Sequence, residues 1–140
     1  MRLAMTLSLP RHLASVTHAR NVLTTLLSLT DTTDETRAQL AVLITEACAN
    51  AVTHATGDST IDLTITIDDH ECILEVGNRG TTQHNAKITA ELPDPLTIGG
   101  RGLPLIATLA DTAAFTPAEP GHVLLRITKQ LAQPTTPSDG

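Results

Sequence analysis

Alternating and helical hydrophobic patterns divide the first part of the chain into one strand and two helices. Every second residue is apolar over 3–9, which predicts a short strand that Pro10 ends. Apolar residues recur at helical spacing over 11–29 and again over 33–56, and the polar stretch between them offers several possible N-caps. Gly57 then marks the predicted end of the second helix.

The clearest strand of the sequence covers residues 60–68, where Ile and Leu alternate with Asp and Thr. This alternation is typical of a strand with one buried face. Asp69 and His70 form a predicted tight turn, and residues 71–76 return as the second strand of a hairpin.

The rest of the chain contains one segment without a regular hydrophobic pattern, followed by one predicted helix and two predicted strands. Residues 79–99 show no sustained hydrophobic pattern, and a loop of this length is more typical of a functional lid than of a passive connector. Glycines then open an apolar helix over 99–111, and two strands are predicted near 112–117 and 121–129.

This order of elements predicts an α+β fold. Strands with one apolar face need helices to cover that face, so we expect a two-layer α/β sandwich with the helices on one side of the sheet. Residues 1–130 are expected to form a single domain, and residues 131–140 a disordered tail.

Composition excludes several classes of protein. The chain is 41% hydrophobic and 17% charged, which fits a soluble globular domain rather than a disordered chain. Its net charge of -6 and single aromatic residue argue against nucleic-acid binding, and no apolar run reaches the roughly 18 residues of a membrane span. Cys48 and Cys72 lie in predicted core segments and are interpreted as buried thiols of a cytoplasmic protein, although a disulfide between them stays open.

Two polar side chains interrupt the second helix in the stretch TEACANAVTHA, residues 45–55. Glu46 and Asn50 are four residues apart, so they share one helix face, on the shoulder where the apolar stripe meets solvent. A Glu in this position is often only solvated. Asn, however, is a weaker helix former than Ala in mid-helix, so the pair is a candidate for chemistry.

Glycines mark two further candidate regions. A turn is predicted at Val76–Gly80, directly after a strand. Either this turn lets the backbone approach a ligand closely, or it is only the ordinary end of a strand. Gly100, Arg101 and Gly102 precede a helix, where free N–H groups and the helix dipole favour a phosphate. A Gly-rich hinge is the alternative there.

The three candidate regions occur in a specific order: E-x-x-x-N on a helix, V-x-N-x-G after a strand, and G-x-G-L at the start of a helix. This order resembles the three nucleotide-binding boxes of the histidine-kinase-like (GHKL) ATPases. The stretches LITEACANAVTHA and GGRGLPLIATLAD, in a chain of 140 residues, are similar to the anti-sigma factor serine kinases of bacteria. The resemblance covers residues 1 to about 130 and implies the GHKL fold, with a mixed, mostly antiparallel sheet.

Individual site residues follow from this resemblance. Glu46 matches the catalytic base that takes the proton of an acceptor hydroxyl, and Asn50 matches the ligand of Mg²⁺ in the Mg-ATP site. Asn78 stands where the family usually has an Asp that contacts adenine. The remaining candidates for nucleotide binding are Gly80, Gly100, Arg101, Gly102 and Leu103. Arg101 is either a phosphate contact or an exposed Arg beside glycines.

The resemblance also implies a function and partners. The first hypothesis is a homodimeric anti-sigma regulator that holds a sigma factor and phosphorylates an anti-anti-sigma (STAS-type) protein on Ser or Thr with Mg-ATP. The second is a non-catalytic switch of the same fold that acts by binding a partner, with or without nucleotide. Glu46 and Asn50 favour the enzyme, whereas Asn78 favours the switch. A metabolic ATPase would need further domains to bring its substrate.

Overall fold

The computed structural model describes residues 1–54, 60–79, 102–117 and 122–134. Within this part of the chain the elements occur in the predicted order. They are β1 (Leu3–Pro10), α1 (Leu13–Leu27), α2 (Asp34–His54), β2 (Thr60–Ile67), β3 (Glu71–Arg79), α3 (Gly102–Leu109), β4 (Thr112–Pro117) and β5 (His122–Gln130). The predicted lid over 79–99 lies outside the described residues, except for Arg79 at the end of β3.

The five strands form one sheet in the order β1-β2-β3-β5-β4, and each of the four pairings is antiparallel. The helices cover one face of this sheet: α2 packs on α1, α3, β2 and β3. The predicted α+β class and the two-layer arrangement are therefore confirmed. Every described pairing is antiparallel, so the parallel component expected of a mixed sheet is not among them.

The core lies between α2 and the central strands and is built almost entirely from aliphatic side chains. Leu40, Leu43 and Ile44 of α2 are fully buried, as are Leu63 of β2 and Leu74 of β3. Each such side chain contributes about 1.5–3 kcal/mol to stability when it leaves water. With one Phe in the chain and no Trp or Tyr, the aliphatic residues supply nearly all of this burial.

The start of α2 is capped locally, which accounts for its sharp beginning. Thr33 Oγ1 accepts a hydrogen bond from Thr36 N at 3.2 Å, the contact made by an N-cap side chain. Asp34 and Glu35 follow in the first turn, where negative charge is favourable at the positive end of the helix dipole.

β3 is longer than its sequence pattern predicts. The turn predicted to begin at Val76 is wrong, because the strand continues through Arg79. Gly77 pairs with Asp62 on one side and with Leu124 on the other, so two neighbouring strands hold the backbone extended despite the glycine. A Cβ added at Gly77 would lie 3.6 Å from Leu124 Cδ1, which is an ordinary contact.

Both cysteines are free and buried, as expected from the sequence, and no disulfide joins them. Burial raises the pKa of the Cys48 thiol to about 12. The pKa of Cys72 is also raised to about 12, chiefly by burial and further by the charge of Glu71. Both groups therefore stay protonated near neutral pH and behave as small apolar side chains.

The chain stays attached to the domain beyond β5. Leu131 is buried, with 6% of its surface exposed, and its N–H donates to His70 O at 2.8 Å. Ala132 O accepts from Thr33 N at 3.0 Å, so this segment joins the β2–β3 turn to the start of α2. Residues 135–140 of the predicted tail lie outside the described part. No helix among the described residues is both long and apolar enough to cross a membrane.

The β2–β3 turn is organised by Asp68. Its Oδ1 accepts from His70 N at 2.7 Å and from Glu71 N at 2.8 Å. These two backbone hydrogen bonds lower the pKa of Asp68, because they favour the charged carboxylate. A carboxyl whose pKa falls on folding stabilises the fold above its unfolded pKa, and that contribution is lost as the pH falls through the folded value.

We therefore expect Asp68→Ala to lower the free energy of unfolding at pH 7. The free energy of unfolding that the variant loses relative to the wild type should be largest above the ordinary carboxyl pKa of 3.8. This loss should become smaller as the pH falls below that value. Urea unfolding at a series of pH values measures both effects. Asp31→Ala, at an exposed position outside the turn, is the control; a deficit of the same size in that variant would remove the special role of Asp68.

Candidate functional site

The orientation of α2 decides where its polar residues lie. Its first turn is joined to the β2–β3 turn through the Thr33–Ala132 and Leu131–His70 hydrogen bonds. The helix has 21 residues and is therefore about 31 Å long, close to the roughly 30 Å of β3, which has nine. Since α2 and β3 start at the same end of the domain and pack together, their other ends also approach each other.

The opposite end of α2 is held by Arg11. Its Nε donates to Val52 O at 2.9 Å, in the last turn of the helix. Arg11 directly follows β1, whose last residue Pro10 pairs with Thr60 at the start of β2. Asn78 pairs with Ile61 in the same part of the sheet, so the end of α2 and the end of β3 belong to one region of the domain.

Asn78 is the polar end of an apolar stripe. Residues alternate along β3, and Cys72, Leu74 and Val76 precede Asn78 on the face that the helices cover. Asn78 is 8% exposed, yet its side chain makes no hydrogen bond with any described residue. A carboxamide at this depth normally has a partner, because leaving it unpaired costs about 1–3 kcal/mol.

Glu46 and Asn50 lie in the part of α2 that leads towards this region. Both are partly buried, one helical turn apart, between the buried positions Leu43, Ala47 and Ala51. The expected shoulder position is thus observed. Within the described part of the chain, neither side chain forms a hydrogen bond or an ion pair. Their oxygen atoms are therefore available to a ligand.

The third element of the region is α3, whose direction is set at its C-terminal end. Lys129 Nζ donates to Leu109 O at 2.6 Å, and Asp111 N donates to Thr128 O at 2.9 Å. These contacts place the last turn of α3 beside the end of β5, the end that pairs with the start of β3. α3 also packs on α2, and its first residue, Gly102, carries the positive end of the helix dipole.

The remaining candidates for nucleotide binding divide into two groups. Leu103 is partly buried and packs on the core in the first turn of α3. Gly80, Gly100 and Arg101 lie outside the described residues, so their predicted nucleotide contacts stay predictions. Gly77, which the predicted turn included, directs its missing side chain towards Leu124 on the face of the sheet away from Asn78.

Two cations that were not predicted from the sequence hold the helices in position. Arg11 anchors the end of α2, and Lys129 anchors the end of α3. The sequence pattern does indicate a special role for Lys129, because this residue continues the alternation of Val123, Leu125 and Ile127 on the core face of β5. A charged residue at such a position needs a partner.

Glu46, Asn50 and Asn78 provide one carboxylate and two carboxamides, each at least partly buried, but no complete cation site. Among the described residues there is no cluster of three or more His, Cys, Asp or Glu side chains that could hold a metal. Mg²⁺ commonly takes one or two protein oxygens and completes its shell with water and substrate phosphates. Asn50 beside Glu46 fits that partial role, and Glu46 remains available to accept a proton.

Comparison with known proteins supports one family. The family profile described as the histidine kinase-like ATPase domain matches residues 9–129. No curated protein sequence matches the chain significantly.

Two solved structures resemble the fold. One contains the RsbU and RsbW domains of Rv1364c from Mycobacterium tuberculosis, with a TM-score of 0.68 and 17% identity over 96% of this chain. This chain spans 35% of that protein. The other is the SiaB–SiaC complex from Pseudomonas aeruginosa, with a TM-score of 0.57 and 12% identity, covering 91% of this chain and 89% of that one. At these identities the likeness concerns the fold.

Proposed function

The chain belongs to the histidine kinase-like ATPase domain family, and from that premise we propose that it is an ATP-binding anti-sigma regulator with serine/threonine kinase activity. It holds a sigma factor and phosphorylates an anti-anti-sigma (STAS-type) protein, and it works as a homodimer. The observation that supports the nucleotide site is Asn78, a buried carboxamide without a described partner near the end of β3, on the face that the helices cover.

The proposed mechanism assigns one role to each polar side chain. Glu46 accepts the proton of a Ser or Thr hydroxyl on the partner protein as that oxygen attacks the γ-phosphorus of ATP, and ADP leaves. Asn50 would hold Mg²⁺ through its amide oxygen, and the bound ion would offset the negative charge of the phosphates. Asn78 receives the adenine base, and the first turn of α3 lies on the phosphate side, where the helix dipole favours negative charge.

The two solved structures support the choice of regulatory class. One contains an RsbW domain, and the other is a complex between two proteins, SiaB and SiaC. Together with the resemblance of residues 1–130 to anti-sigma factor serine kinases, they favour a protein that acts on a protein partner.

A second candidate function is a non-catalytic switch of the same fold. The observation in its favour is Asn78, which stands where the family usually has Asp and lacks the negative charge that strengthens a hydrogen bond to the adenine amine. In this alternative the protein binds its partner with weak nucleotide control or with none.

We expect Glu46→Gln to lower the rate of phosphoryl transfer by roughly 10²- to 10⁴-fold, because the amide cannot accept the proton. Nucleotide affinity and partner binding should persist. The measurement is transfer of labelled phosphate from ATP to the partner protein captured from the native cell. Glu35→Gln, at an exposed position in the first turn of the same helix, is the control. Transfer at the wild-type rate by Glu46→Gln would exclude Glu46 as the base.

We expect Asn50→Ala to weaken ATP binding more in Mg²⁺ than in EDTA, because the variant removes an oxygen ligand of the metal. Calorimetric titration under both conditions gives the ratio of the two losses. The matched control is Asn21→Ala on the exposed side of α1. Equal losses with and without Mg²⁺ would make Asn50 a structural residue.

We expect Asn78→Asp to tighten ATP binding several-fold. A charged acceptor contributes roughly 1.5–3 kcal/mol and a neutral one roughly 0.5–1.5 kcal/mol, a difference of about 1 kcal/mol. The wild-type amide still accepts from the adenine amine and donates to N1, so GTP should be a poor ligand for both forms. The nucleotide-free variant should be less stable, because its carboxylate is buried without a partner.

Calorimetry with ATP and GTP tests this prediction and also separates the two candidate functions. If the wild type binds no ATP and Asn78→Asp does not restore binding, the nucleotide site has lost its function. The non-catalytic switch then becomes the better account of the protein.

A further inference from the structure

The hydrophobic core stops supporting α2 before the helix ends. Ala51, with 3% of its surface exposed, is the last buried residue of this helix. Val52 is partly buried and packs against the core, whereas Thr53 and His54 are exposed. Asn50 lies in the same helical turn as Val52. The side chain that is proposed to hold Mg²⁺ therefore belongs to the part of the helix where support from the core ends.

Arg11 supplies support at this point from a distant part of the chain. Its Nε donates to Val52 O at 2.9 Å, across 41 residues of sequence. Because α2 ends at His54, Val52 O is one of the terminal carbonyl groups that have no partner within the helix. A guanidinium is always charged, so it forms a stronger hydrogen bond than a neutral donor, and its charge is favourable at the C-terminal end of a helix.

The backbone of Arg11 is itself held on both sides. Only Arg11 and His12 separate β1 from α1, and Pro10 at the end of β1 pairs with Thr60 of β2. Ser15, which is 2% exposed, closes this junction: its Oγ donates to Pro10 O at 2.7 Å, and its N–H donates to His12 O at 2.9 Å. The Arg11 side chain thus reaches α2 from a fixed point at the end of the sheet.

The same end of the sheet carries Asn78. Thr60 begins β2, and the next residue, Ile61, pairs with Asn78 of β3. Arg11 therefore connects the helical turn that contains Asn50 to the end of the sheet that contains Asn78. A contact that fixes the end of α2 against this end of the sheet also fixes the separation between the two carboxamides.

We infer that Arg11 is a positioning residue of the proposed Mg-ATP site. In this role it contacts neither the nucleotide nor the metal. It acts through Val52 O, by holding the last turn of α2 so that Asn50 keeps its place against the end of the sheet. This role rests on the proposed function and adds to it a residue that lies outside the three sequence motifs.

Hydrogen exchange of the full chain without nucleotide tests whether Arg11 holds the turn. Arg11→Gln removes the charge and the Nε donor. The amides of residues 51–54 should then exchange roughly tenfold faster, which is the lower end of what a hydrogen bond to a charged group contributes. The amides of residues 37–44, nearer the start of α2, should exchange as in the wild type. Arg11→Lys keeps the charge and can donate once, so it should recover part of the protection.

Calorimetric titration with ATP tests the positioning role. Helix ends open with free energies close to zero, so a roughly tenfold shift in this equilibrium leaves the last turn formed in a minority of molecules. Apparent affinity falls with the formed fraction, and Arg11→Gln should weaken ATP binding roughly threefold in Mg²⁺ but little in EDTA. The double variant Arg11→Gln/Asn50→Ala should bind ATP as weakly as Asn50→Ala alone, because the anchor cannot place a side chain that is absent.

The matched control is Arg20→Gln, which makes the same substitution at an exposed position of α1. The Arg20 side chain forms no hydrogen bond or ion pair with a described residue. This variant should exchange and bind ATP like the wild type. Circular dichroism shows whether each variant is folded. If Arg11→Gln does not fold, Arg11→Lys serves in its place and should show smaller effects of the same kind.

Unchanged exchange at residues 51–54 would overturn the role of Arg11. Faster exchange spread evenly over the whole chain would also overturn it, because Arg11 would then contribute only to global stability. The same holds if ATP affinity falls equally with and without Mg²⁺, or if the losses of Arg11→Gln and Asn50→Ala simply add. A wild type that binds no ATP would overturn the proposed function instead; local acceleration at residues 51–54 would still support the anchor, and its absence would still exclude it.

Discussion

The packing of α2 along the sheet is the constraint on which the rest of the structure depends. This helix contacts α1 on one side, α3 on the other and β2 and β3 beneath it, and most of its inward residues are fully buried. Because close-packed aliphatic side chains tolerate little displacement, the helix cannot slide or rotate without creating cavities. Its polar side chains are consequently held at defined positions relative to the end of β3.

Polar anchors at both ends complete this placement. At the start of α2, backbone hydrogen bonds from the segment after β5 join the helix to the β2–β3 turn. At its end, Arg11 donates to the carbonyl of Val52, and Lys129 does the same for the last turn of α3. Carbonyl groups at helix ends lack partners within the helix, and a cation there is also favoured by the dipole. Stability and the geometry of the candidate site thus depend on the same contacts.

The two faces of the sheet carry different kinds of residues. The covered face carries the core and ends in Asn78, so the proposed nucleotide site extends the apolar stripe of β3. The opposite face carries Glu75 and Arg126 side by side among small and hydroxyl-bearing residues. Since successive residues of a strand point to opposite faces, β3 contributes to both surfaces through adjacent positions.

The sequence by itself determined the elements, their order, the fold class and the family, because hydrophobic period and motif spacing are local properties of the chain. It also placed Glu46 and Asn50 on the shoulder of α2. Only the tertiary structure decided that β3 continues through Gly77 to Arg79, since that depends on hydrogen bonding to both neighbouring strands. The same holds for the burial of Asn78, for the anchoring roles of Arg11 and Lys129, and for the register that sets Glu75 beside Arg126. Each of these joins residues that are distant in sequence, and no local pattern records which distant partner the fold brings into contact.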